Sequence, residues 1–315
     1  TPFRVASMTK SFSAMAVLML RDAGKLSLDD KMIKHLPQLA HLDERIPAIT
    51  IHQLLSMSAG FPTDNEWADR VEDISAEKFN SLLERGIRFD SAPGSRYEYS
   101  NLGYALLARI IKVVTGVEFT QYVTTEILKP LKLNATTFHY IESSSLAMGY
   151  ARINGWMDEP HQSAGAFSSI GGLISTAGDI ITWSHYLTSA FDDSTPEKGP
   201  LSKASRREMQ EIQQVIPKIR EPNVDLSYKG VNGYGYGLRV EEDDEFGKIA
   251  AHSGGYPGFG THMRWHAKSG ITVVALQNGR YAAPVKPAIP ALRLLLGGKT
   301  ETNLEITNEL ISAKS

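Results

Sequence analysis

Apolar positions fall into two regimes along the chain. Over residues 5–23, "VASMTKSFSAMAVLMLRDA", they occur on nearly every side of a 3.6-residue period, which predicts a helix buried all round, and Gly24 supplies its stop. "SLDDKMIKHLPQL" follows as a capped amphipathic turn ended by Pro37. Thr50 caps a short helix, "IHQLLSMS", that breaks at "AGFP". Ser75 opens a helix through Leu83 with its charges outward. The turn-rich "DSAPGSRYEYSN" precedes a strong helix, "LGYALLARIIKVVTG", which places Tyr99 and Asn101 on a loop tip and ends the helix at Gly116. Residues 119–128 predict a further short helix, and Thr176 with Asp179 stands at capping spacing before another.

After residue 230 the period changes. "YGYGLRV", "KIAAHSG", "GTHMRWHA" and "ITVVALQN" are short β-type runs between charged or glycine-rich turns, and "AKSG" at 267–270 suits a hairpin. "PAIPALRLLLGG" predicts a helix returning across that sheet. The expected class is therefore α+β, an antiparallel sheet flanked by helices with a helical subdomain. We expect one catalytic domain over 1–315, mainly helical over about 25–230, with a β-meander over about 231–280.

Bulk properties narrow the chemistry. A composition of 42% hydrophobic and 22% charged residues in 315 suits a globular protein with a sizeable core. The net charge of −2 offers no basic field for nucleic acid, and the absence of cysteine excludes disulfides, thiolate metal sites and a cysteine nucleophile. The longest strongly apolar run, "AMAVLML", falls far short of the roughly 20 residues of a membrane span. The chain opens at Thr1 with neither an initiator Met nor a charged-then-apolar leader, which leaves localisation open.

Three segments carry candidate chemistry. Ser7 and Lys10 lie three apart at the head of the apolar helix, so the amine can reach the hydroxyl. Burial favours a neutral lysine able to take the serine proton. The same spacing recurs at Ser75 and Lys78, where an amphipathic helix makes Ser75 a cap instead. In "YEYSNLGY", Tyr99 and Asn101 face one way, the phenol as proton carrier and the carboxamide as partner for a substrate amide; packing and capping are the plainer alternative. In "AAHSGGYPGFG", a β-run carries His252, Ser253, Gly254 and Gly255, and the amide of Gly255 with that of Ser7 is placed to receive an oxyanion. Taken alone, that segment also reads as a glycine-rich turn.

In chain order Ser-x-x-Lys, Tyr-x-Asn and His-x-Gly, with "TIHQLLSMSAGFP", "PGSRYEYSNLGYALLARII" and "GGLISTAGDI" between them, the sequence resembles class C β-lactamases and their esterase, D-aminopeptidase and DD-peptidase-like penicillin-binding relatives. The resemblance implies Ser7 as nucleophile, Lys10 and Tyr99 as the proton-handling pair, Asn101 as a substrate binder and His252 as the third-motif residue. It implies no cofactor and a small-molecule ester, amide or peptide substrate.

Two departures matter. The family usually carries several dozen residues ahead of its serine, so a smaller sheet or a chain that starts within its protein is expected, and a catalytically silent peptide-binding scaffold stays in view. Classical β-lactamases also have lysine where His252 stands, so cleavage of carboxylate-bearing β-lactams is expected to be less efficient than that of esters or peptides; ester hydrolysis is the leading expectation, with D-amino-acid peptidase, DD-peptidase or weak β-lactamase action as alternatives. Arg280 is a possible substitute cation, although a surface role suits it better. His262 and His266 share a strand face without a third ligand nearby, so no metal is expected. Trp67, Tyr236, Tyr256 and Phe259 could line an acyl pocket or simply pack.

Overall fold

A computed structural model describes residues 1–63, 71–139, 146–152, 155–217 and 230–297. The chain enters through β1 (Phe3–Arg4), makes a 3-10 turn (Ala6–Met8) and continues into α1 (Thr9–Asp22). The long apolar run is thus a helix four residues later than its periodicity predicts. Ala6 lies at φ +50°, outside helical space, so the first turn tightens around Ser7 before α1 begins. As expected of an all-round apolar segment, α1 is buried through its centre, and Phe12 stacks on Trp183 at 3.9 Å and 15°.

Further helices follow, α2 (Met32–His35), α3 (Ile51–Leu55), α4 (Ala76–Glu84), α5 (Asn101–Thr115) and α6 (Phe119–Val123), the last running into a π-helical turn over Thr124–Leu128; α5 and α6 pack on α1. Their starts obey local chemistry. Thr50 and Gln53 form a reciprocal capping box, and Ser75 and Ser100 each accept a backbone N–H of the first turn. Asn101, expected on a loop tip, is the first residue of α5 because Ser100 takes the cap. Gly116 closes α5 at φ +73°, as its position predicts.

The span expected to be mainly helical also carries short strands: β2 (Gly149–Arg152) pairs with β3 (Trp156–Glu159), and after α7 (Ser168–Gly171), β4 (Ile174–Ser175) pairs with β1. Then come α8 (Ala177–Thr188), capped by Thr176 at the N–H of Asp179, α9 (Lys203–Met209) and β5 (Gln214–Val215). The meander follows as β6 (Gly230–Tyr234), β7 (Arg239–Asp243), β8 (Gly247–Tyr256), β9 (Phe259–His266) and β10 (Thr272–Gln277), before α10 (Val285–Leu295). β5 to β10 form one antiparallel sheet in chain order, with α8 against β10 and α10 against β9 and β10. The architecture is α+β, an antiparallel sheet flanked by helices with further helices around α1. Among the described residues no helix is long and apolar enough to cross a membrane.

Candidate active site

Three elements converge on Ser7. The 3-10 turn that carries it is held from both sides: Val5 N donates to Leu173 O at 3.0 Å, Thr9 Oγ1 to Ala6 O at 2.7 Å, and Thr261 Oγ1 of β9 to Val5 O at 2.9 Å. A left-handed alanine costs about 1–2 kcal/mol, and these bonds over-determine it. Met8 and Lys10 are sealed, while Ser7 itself stays partly open.

Lys10, 0% exposed, is the first α1 side chain to turn back toward the serine. Its Nζ donates to Ser7 Oγ at 2.9 Å and to the carbonyl of Ile170 in α7 at 2.9 Å. The amine also lies 5.0 Å from the ring centre of Tyr99 and 5.9 Å from that of Tyr104. Two π faces and a carbonyl fix where it points. Asn101, buried, follows Tyr99 by two residues at the head of α5.

The third wall is β8. His252 lies 6.3 Å from Tyr99 between ring centres and accepts a hydrogen bond from the Tyr234 hydroxyl at Nε2, 3.1 Å away. Its Nδ1 must carry the proton, because the Ser253 carbonyl 2.6 Å away can only accept. Burial, then the nearby Lys10, with Arg239 beyond, push His252 down to about 3, against the pull of that carbonyl. Tyr234 is pushed up, chiefly by burial, and stays a phenol that donates. His252 is therefore a neutral ring with both nitrogens engaged. Strand alternation turns Ser253 to the opposite sheet face, where its hydroxyl meets His262 Nδ1 at 2.8 Å. Gly254 packs on the serine turn so closely that a Cβ there would lie 2.5 Å from Val5 O and 2.9 Å from Ala6 Cβ. Gly255 likewise leaves room for the Tyr281 ring, 2.7 Å from where its Cβ would be.

The Beta-lactamase family model matches residues 1–297. The chain belongs to the beta-lactamase family. Protein flp of Staphylococcus aureus strain MW2 is 30% identical over 302 residues, 89% of this chain and 54% of that protein. The chain thus spans about half the length of the curated relatives it matches. Among solved structures, the octameric penicillin-binding protein homologue from Pyrococcus abyssi superposes with a TM-score of 0.79 at 28% identity, covering 95% of this chain and 67% of that one. A D-stereospecific amidohydrolase from Streptomyces sp. gives 0.74 at 25% identity, covering 92% and 86%.

Other residues singled out in this beta-lactamase-family sequence have partners of their own, and Tyr256 and Phe259 pack with Ala6. Ser75 caps α4 by accepting from Lys78 N at 3.2 Å. Arg280 faces Glu159 at 3.5 Å. His266 bonds Ser269 and the Phe246 carbonyl, and among the described residues no group of three is placed to hold a metal ion. Trp67 lies outside the described residues. Tyr236 bonds His52, Tyr256 bonds Glu72, and Phe259 packs edge-on against Phe3; all three are buried. The sequence reading missed Tyr234, Tyr104 and the Ile170 carbonyl. Only the alternation of Tyr234 with Tyr236 hinted that a phenol would join the site, and no spacing points to a carbonyl.

Proposed function

We propose that this chain is a serine hydrolase that works through an acyl-enzyme and prefers esters. The observation that carries the reading is the 2.9 Å contact between Ser7 Oγ and a wholly buried Lys10 amine. Burial destabilises the ammonium, so Lys10 can pass to its neutral form and take the hydroxyl proton as Oγ attacks a carbonyl carbon. The carbonyl oxygen becomes an oxyanion facing the N–H groups of Ser7 and Gly255. Collapse breaks the bond to the leaving group, which takes a proton relayed from Lys10 through the Tyr99 phenol. Water then adds to the acyl carbon by the same route, and the acid leaves with Ser7 restored. Asn101 is assigned to the substrate's carbonyl or amide side.

Ester preference rests on His252. A cation there would attract a carboxylate-bearing β-lactam, whereas this imidazole is held neutral and its two nitrogens are occupied by Tyr234 and Ser253. We assign His252, Gly254 and Gly255 to shaping the wall beside Lys10 and Tyr99, with Ser253 contributing its backbone. Similarity to a D-stereospecific amidohydrolase makes D-amino-acid amides the first alternative substrate.

The test is labelling with a fluorophosphonate and mass mapping of the modified peptide. The parent labels at Ser7 and Ser7→Ala does not. A folded parent that takes no label means a silent scaffold. A short-chain nitrophenyl ester, D-alanine nitroanilide and nitrocefin, compared by kcat/KM, then rank the chemistries. The ester is fastest; a dominant nitrocefin rate overturns the assignment of His252.

A further inference from the structure

Arg4 and Glu72 form an ion pair with side-chain exposures of 0% and 1%, far from any solvent that could stabilise it. Arg4 Nη1 donates to Glu72 Oε1 at 3.2 Å, to Oε2 at 3.1 Å and to the Gly172 carbonyl at 3.2 Å, while Nη2 bonds the Gln162 carbonyl. The same Oε2 accepts the Tyr256 hydroxyl at 2.6 Å, and the guanidinium lies 5.0 Å from the Tyr256 ring centre. Burying two charges is expensive, and an apolar trio of equal volume is commonly as stable, so stability alone is a weak reason to keep the pair.

Its placement supplies a better one. Arg4 precedes Ser7 by three residues, and Tyr256 directly follows Gly255. One carboxylate therefore grips both segments that bring backbone N–H groups to the oxyanion in the reading above. Between the grips the segments touch, since Gly254 lies against Val5 and Ala6 and Thr261 reaches Val5 O. We propose that Glu72 is a positioning residue that fixes the separation of the Ser7 and Gly255 amides by clamping Arg4 and Tyr256 together. The proposal rests on the acyl-enzyme reading. A carboxylate suits the task because its oxygens accept from a guanidinium and a phenol at once, whereas an amide turns a donor toward one of them.

The test compares the full chain with Glu72→Gln and Tyr256→Phe. The readouts are kcat and KM on a nitrophenyl ester, the inhibition constant of phenylboronic acid, which binds a serine as a tetrahedral adduct, and the fluorophosphonate labelling rate. In both variants kcat and the labelling rate fall at least tenfold, boronate affinity weakens by a similar factor, and KM stays within about threefold. A role in stability alone shifts the unfolding midpoint and leaves boronate affinity per folded molecule unchanged. Should Glu72→Gln fail to fold, Tyr256→Phe decides, because it removes one hydroxyl and leaves the ion pair. An active parent whose folded variants match it within twofold in kcat and boronate affinity overturns the clamp alone. A folded parent that neither labels nor turns over overturns the acyl-enzyme reading, and the clamp with it.

Discussion

Acidification from pH 7.5 to 5 removes stability from this protein. The cause is the buried neutral His252. In the folded chain it takes a proton only near pH 3, while in the unfolded chain it takes one near 6.5. Between those values the unfolded state binds more protons, so stability is complete above pH 6.5 and declines as pH falls toward 3. At 1.36 kcal/mol per unit, His252 alone costs about 2 kcal/mol by pH 5. His262, held well below its ordinary value by burial and then by Arg264, adds a loss of the same sign, as do His52 and His161, both lowered mainly by burial. Asp30 and Asp43, each lowered to about 2, contribute only in stronger acid. Glu72, pushed up by burial, works in the opposite direction, and because a raised carboxyl titrates above its ordinary range its offset falls within the histidine window. The assay is urea unfolding at pH 7.5, 6 and 5, read by the fluorescence of the fully buried Trp183 and Trp265. His252→Asn starts less stable, and its loss over that range is smaller than the parent's by about 2 kcal/mol. A parent that loses under about 1 kcal/mol, or a variant that keeps the parent's full dependence, refutes the reasoning.

Replacing Lys10 by Met preserves bulk in a sealed site and removes the base; ester kcat/KM falls by about 10²–10⁴, while the urea midpoint holds or rises because a buried amine is gone. Gly254→Ala places a methyl 2.3 Å from Thr261 Oγ1 and 2.5 Å from Val5 O, which costs about 1–3 kcal/mol in urea unfolding and displaces the serine turn, so the ester rate per folded molecule drops as well. Thr50→Ala breaks the capping box of α3 and lowers stability by about 1 kcal/mol; the ester rate of the folded variant stays at the parent value, which separates a cap from a site residue.

Helix ends were legible because each is a local event. Thr50, Ser75 and Thr176 cap the helices they precede, and Gly24 and Gly116 take left-handed turns after theirs. Most of the meander was legible because β8, β9 and β10 each run six residues or more between charged or glycine-rich turns, whereas the expected run "YGYGLRV" spans the turn between β6 and β7. What escaped was non-local. β1 and β4 are two residues each, too short for any period, and exist because Phe3 and Arg4 meet Ser175 and Ile174 across the fold. The late start of α1 follows from Ala6, which is held between the bonds of Val5 to Leu173 and Thr261 before it and the bond of Thr9 to its own carbonyl after it. A buried arginine requires an acceptor, yet nothing in the order of residues says that for Arg4 this is Glu72, 68 positions away.

The two serine–lysine pairs of equal spacing show which part of the chemistry a motif can hold. At Ser75 the hydroxyl is consumed by the N–H of Lys78, and the Lys78 side chain is exposed to solvent. At Ser7 the preceding residues are diverted by Ala6 into a 3-10 turn, so the hydroxyl is left to the amine of Lys10 rather than spent on a cap. Spacing thus supplies reach in both places. The difference is made by what surrounds the amine: two aromatic faces and a carbonyl at Lys10, against exposure at Lys78. Because that surrounding comes from α5, the turn before it and α7, the placement of the Lys10 amine is a property of the whole fold, and the reactivity proposed for it depends on that placement. Any substitution that lets water in beside Lys10 therefore turns it toward the behaviour of Lys78 without touching the motif itself.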